Sequence, residues 1–191
     1  VIDNCIFEGN KATSQNSDSN ITGGGVVHGS SIVGFVKNSE FLNNTAFLYG
    51  GVFNTKSDES FTVINCSFSG NRANDVSAQG KGGVGTHSNV ANKAVKYYNC
   101  DFVSNYARAQ GGAINEATVY DSSFVSNQCG YDGGAIYGSN AYNCQFINNK
   151  VNGDGGAAYF YDSGTFTFTN CNFVENSATG NGGAVYADYY A

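Results

Sequence analysis

The 191-residue chain contains no proline, no methionine and no tryptophan, and leucine occurs only at Leu42 and Leu48. Charge is scarce as well: Asp, Glu, Lys and Arg together make up 13% of residues, about half the usual fraction. Each shortage excludes something. Almost no leucine means no leucine-rich repeat. No apolar run approaches the roughly 18–20 residues of a membrane-crossing helix. A net charge of −6 provides no basic patch for a nucleic acid or an anionic membrane. The absence of any C-x-x-C pair disfavours zinc. There is no secretory leader, and Val1 is not an initiator Met, so the sequence reads as a processed chain or a piece of a longer one.

In their place stand 26 glycines and an aromatic content of 14%, all Phe and Tyr. Such a chain is too apolar and aromatic to stay disordered. With so little charge, its surface must be covered by Asn, Ser, Thr and Gly.

These residues are ordered by a repeat. Phe recurs at Phe7, Phe41, Phe68, Phe102, Phe124, Phe146 and Phe173, with intervals of 34, 27, 34, 22, 22 and 27. Three residues after each stands Asn: Asn10, Asn44, Asn71, Asn105, Asn127, Asn149 and Asn176. Two before each stands Cys or Ser, and three before stands Asn, or Asp at Asp121. Every unit also carries a Gly pair, beginning at Gly24, Gly50, Gly82, Gly111, Gly133, Gly155 and Gly182. Twenty-two residues is the minimum, and the extra residues fall at only two places per unit, as loops on the outside of a fixed coil would.

A 22-residue unit without helical periodicity fits one turn of a parallel β-helix, here with three short strands and three corners. The expected fold is all-β: one right-handed, single-stranded parallel β-helix domain over residues 1–191, with about seven turns. Stacked turns lie about 4.8 Å apart. Equivalent residues then form columns, with Phe, Cys/Ser and Ala inside and two Asn columns at bends. Asn tolerates the left-handed backbone of a corner and can bond to the Asn above and below. Neither end shows the atypical polar repeat that closes a solenoid. The chain therefore reads as a segment of a longer β-helix, or as a unit whose partners are other copies of itself, stacked head to tail.

The motifs "FEGN", "FLNN", "FSGN", "FVSN", "FVSN", "FINN" and "FVEN", paired with "GGAI", "GGAI" and "GGAV", resemble the repeats of chlamydial polymorphic membrane proteins. They are also similar to adhesin-like surface proteins of archaea and bacteria. The units with "GGVV", "GGVF", "GGVG" and "GGAA" depart from the core motif. The resemblance implies a secreted, surface-exposed β-helix acting as an adhesin or passenger stalk, with no catalytic residues.

Few residues offer chemistry. Cys66 with Cys100, and Cys144 with Cys171, fall in adjacent turns; they read either as cross-turn disulfides or as stacked buried thiols interchangeable with Ser. His28 and His87 read as surface histidines. Asp132 and Asp154, one turn apart before the Gly pair, are a weak candidate pair for calcium, which needs six or more oxygens. No other acids converge, so a polysaccharide lyase or hydrolase on this architecture is the third reading and no cofactor is expected. Two tyrosine columns stand out: Tyr98, Tyr120, Tyr142, and Tyr137, Tyr159, Tyr186. They read as strips that bind a glycan or a cell-surface protein, or that stack on themselves. Of the glycosylation sequons, only the one at Asn20 lies in an insertion. The leading functional reading is an extracellular display and adhesion module, and the second is a subunit of an extracellular filament or sheath.

Overall fold

The computed structural model describes residues 1–15, 23–30, 32–56, 61–74, 79–87, 95–161 and 166–188. Among these residues every regular element is a strand, and the strands form four parallel sheets of seven. Each sheet takes one strand from each coil in chain order, so the molecule is a parallel β-helix of seven coils. The fourth coil illustrates the path. It runs through Val95–Tyr98, Asp101–Val103, Tyr106–Ala107 and Ile114–Asn115, one strand in each sheet. The sequence predicts three strands per coil, and the structure has four. The additional strand is the two-residue segment that ends on the Ala column, such as Tyr106–Ala107, too short for in–out alternation to be visible.

Register is set residue by residue. Phe7, Phe41, Phe68, Phe102, Phe124, Phe146 and Phe173 pair with one another in successive coils. Their rings stack with centroids 4.5–5.1 Å apart and planes within 12° of parallel. The five central rings are fully buried. Facing them are Val63, Tyr97 and Val119 of the first sheet and Phe53, Ile114 and Ile136 of the fourth. Insertions do not disturb this order, because coils of 34 and 22 residues return to the same register.

Corners divide the work that the sequence assigned jointly to two Asn columns. The column three residues before Phe, from Asn4 to Asn170, has φ of 49–55° and takes the left-handed turn. The column three after Phe does not. Its corner is turned one residue earlier, at Gly9, Asn43, Gly70, Ser104, Ser126, Asn148 and Glu175, with φ of 54–66°. The Gly pair likewise splits. Gly133 is needed for its φ of 69°, whereas a Cβ on Gly134 would overlap the carbonyl oxygen of Gly156 in the next coil.

Candidate functional site

The buried Asn column is the most completely bonded feature of the coil. Asn127 illustrates it: its backbone N–H and its Nδ2 both donate to Asn149 Oδ1, at 2.9 and 3.1 Å. Its second amide proton goes to the carbonyl of Phe102 at 2.9 Å. Its own Oδ1 accepts the backbone N–H and the Nδ2 of Asn105, both at 3.0 Å. The same pattern links Asn10 to Asn44, Asn44 to Asn71, Asn71 to Asn105, and Asn149 to Asn176. These amides hold coils together, and from Asn44 to Asn149 they are fully buried. The positions that look most motif-like in the sequence are therefore structural.

The tyrosine columns form as the sequence suggests. Tyr98, Tyr120 and Tyr142 stack at 4.7 and 5.0 Å with planes 6° and 12° apart. Tyr137 and Tyr159 stack at 5.1 Å and 2°, and Tyr186 continues at 5.4 Å and 36°. Parallel rings this close must overlap face to face, since rings lying side by side in one plane would collide. The faces are thus taken up by neighbouring rings; Tyr98, Tyr120 and Tyr142 are half-buried, and Tyr137 and Tyr159 are buried. Burial pushes the phenols of Tyr137 and Tyr159 well above the ordinary tyrosine range. Tyr159 donates to Asp188 Oδ2 at 3.2 Å, and Tyr161 to Glu116 Oε1 at 2.8 Å.

Asp132 and Asp154 do a backbone job. Asp132 Oδ1 accepts the N–H of Asp154 at 3.5 Å, and Asp154 Oδ1 accepts that of Asn181. Burial raises the Asp132 carboxyl, an effect to which the neighbouring carboxylates add. Among the described residues no three His, Cys, Asp or Glu side chains are grouped to hold a metal. Asn20 lies outside the described residues.

All six cysteines are free thiols. Cys66, Cys100 and Cys144 each donate to the carbonyl two residues earlier, at 3.2 Å. Burial pushes Cys100, Cys129 and Cys144 up to about 12, which makes them poor nucleophiles. Ser39 and Ser122 occupy the same column and bond in the same way.

His87 corrects the sequence reading. It is buried, with Nδ1 2.7 Å from Thr55 Oγ1 and Nε2 2.9 Å from the Tyr97 hydroxyl. Desolvation pushes its imidazole down to about 3. In-strand alternation turns it inward with Gly85, and a Cβ on Gly85 would lie 2.5 Å from both His87 Nε2 and Tyr97 Oη. The signal was the odd "GGVG" of this unit: glycine replaces the usual core residue to make room for the His–Tyr pair. His28 is exposed, with Nδ1 3.2 Å from Asn54 Nδ2.

With faces and columns assigned, three consecutive coils can be compared with known repeats. Residues 121–139, 143–161 and 170–188 each match the Chlamydia polymorphic membrane protein repeat. The likeness is confined to segments of the last three coils. Each matched segment opens on the left-handed corner, at Asp121, Asn143 and Asn170, and runs into the strand after the Gly pair. Each match therefore covers the strands of one coil in the second, third and fourth sheets. No curated protein and no solved structure matches the chain.

Proposed function

We propose that this chain is an adhesin-like scaffold displayed at a cell surface, one that binds and presents rather than catalyses. The observation that carries the reading is the match of three stacked coils to a repeat described as belonging to a membrane protein. The chemistry of the coil supports it. Asn amides and the Asp132 carboxylate are bonded between coils and the central thiols are buried, leaving a stiff rod with variable outer faces. A rod of stacked units holds its distal coils away from an attachment point and repeats each outer face at a fixed spacing. That suits contact with a repetitive or extended partner.

Antibodies raised to the folded chain should label intact cells of the source organism without permeabilisation. Beads coated with the chain should adhere to cultured animal cells well above albumin-coated beads. Labelling that appears only after permeabilisation, together with adhesion no better than albumin, refutes the proposal.

A further inference from the structure

A concave seam runs along the outside of the coil where the first sheet turns into the second. Two cavities of about 390 and 290 Å³ lie in it and share Asp101, so they form one groove. It spans five coils, roughly 19 Å at about 4.8 Å per coil. One bank is the left-handed corner column, from Asn38 through Asn99 and Asp121 to Asn143; Glu40, Ser67, Asp101 and Gln145 stand on the other. No Lys, Arg, His or aliphatic side chain lines either cavity. Tyr98, Tyr120 and Tyr142 stand one residue before Asn99, Asp121 and Asn143, so the stacked tyrosines border the amide bank.

Along that bank each amide donates to the side-chain oxygen of the coil before it. Asn65 donates to Asn38 at 3.3 Å, Asn99 to Asn65 at 2.9 Å, and Asn143 to Asp121 at 2.9 Å. Asp121 interrupts the series, because a carboxylate has no N–H to give to Asn99. Two acceptors, Asn99 Oδ1 and the Asp121 carboxylate, therefore follow one another across a single coil spacing. Asp101 stands on the opposite bank at this level, with one of its oxygens taken by Ser123 Oγ. This rung of the groove therefore lacks the amide bond that links the others, and no cationic side chain lines it.

We propose that the groove binds a linear amino-sugar glycan laid along the coil axis. In the bound state one ammonium fills the rung between Asn99, Asp101 and Asp121, and hydroxyls bond to the amides of adjoining coils. Amides both donate and accept, as sugar hydroxyls do, and an extended saccharide chain advances per unit by about one coil spacing. The three carboxylates, with no cation among them, repel sulfated or carboxylated glycans. This inference names a ligand class for the display role proposed above and rests on that reading.

The test is calorimetric titration of the intact chain with a glucosamine hexamer, its fully N-acetylated counterpart, a heparin hexasaccharide and hexalysine. The glucosamine hexamer should bind, heparin should not, and acetylation should weaken binding at least about tenfold, the loss expected for a hydrogen bond to a charged group. Asp121→Asn supplies the missing N–H. It should leave the melting temperature unchanged or higher and lower glucosamine affinity at least about tenfold. Equal affinity of Asp121→Asn and the native chain overturns the proposal. So does hexalysine binding as tightly as the glucosamine hexamer, which would make the groove a site for cationic peptides. Failure of the hexamer to bind a chain that still tethers beads to cells overturns the groove and leaves the display role standing.

Discussion

Replacing Asn127 with leucine roughly keeps the side-chain volume and removes every polar contact that the side chain makes. Three buried groups lose partners: the backbone N–H of Asn105, one amide proton of Asn105, and the carbonyl of Phe102. At about 1–3 kcal/mol for each unsatisfied buried group, the loss is roughly 3–9 kcal/mol. That is comparable with the whole stability of an ordinary domain, about 5–15 kcal/mol. A solenoid carries its stability in contacts between neighbouring units, so the damage should be concentrated between the fourth and sixth coils. Urea unfolding followed by circular dichroism reads the total, and amide hydrogen exchange reads the location. Asn148→Ser is the control. Asn148 is an exposed left-handed corner, serine already holds that place at Ser104 and Ser126, and the cost should stay within about 0.5 kcal/mol. A cost below about 1 kcal/mol for Asn127→Leu, or protection lost equally along the rod, would refute the account of the ladder.

Other outcomes follow from the same geometry. Gly134→Ala should lower the melting point sharply, because its Cβ would overlap the Gly156 carbonyl, at a cost of about 1–3 kcal/mol or more. Gly34→Ala, with nothing within 4 Å of the added Cβ, should be close to neutral. In an alkylation assay at pH 8 read by mass spectrometry, Cys5 and Cys171, which are partly exposed, should react with iodoacetamide. Cys100, Cys129 and Cys144 should stay unmodified until the chain is unfolded. Buried neutral His87 gives the pH dependence a sign. The unfolded chain takes up a proton near pH 6.5 that the folded chain refuses until about 3, so this contribution to stability is lost as pH falls through that window. His87→Gln should flatten the slope of unfolding free energy against pH between those values; an unchanged slope would place the titrating group elsewhere.

Much of the coil was legible because the columns are made of the same residue in coil after coil. Phe102 over Phe124 over Phe146 needs only a period, and the period is written in the intervals. The two-residue third strand escaped notice because alternation needs more residues to show. The left-handed corner two residues after Phe escaped because Gly, Asn, Ser and Glu share the place, and no single residue type marks it. His87 was missed because its burial depends on Thr55 in the coil before and Tyr97 in the coil after, neither of which repeats. The groove was invisible for a related reason. Its banks are two outward positions that vary freely in sequence, and only the fold at the corner makes them face one another.

The pairing of each residue with its own counterpart has a consequence for how such a molecule can change its length. The coil below and the coil above present the same backbone pattern to a newcomer, so a duplicated 22-residue unit finds partners wherever it is spliced in. Reach can then grow or shrink by about 4.8 Å at a time without redesigning any interface. The distance at which a bound target is held becomes a quantity that selection can count in whole units.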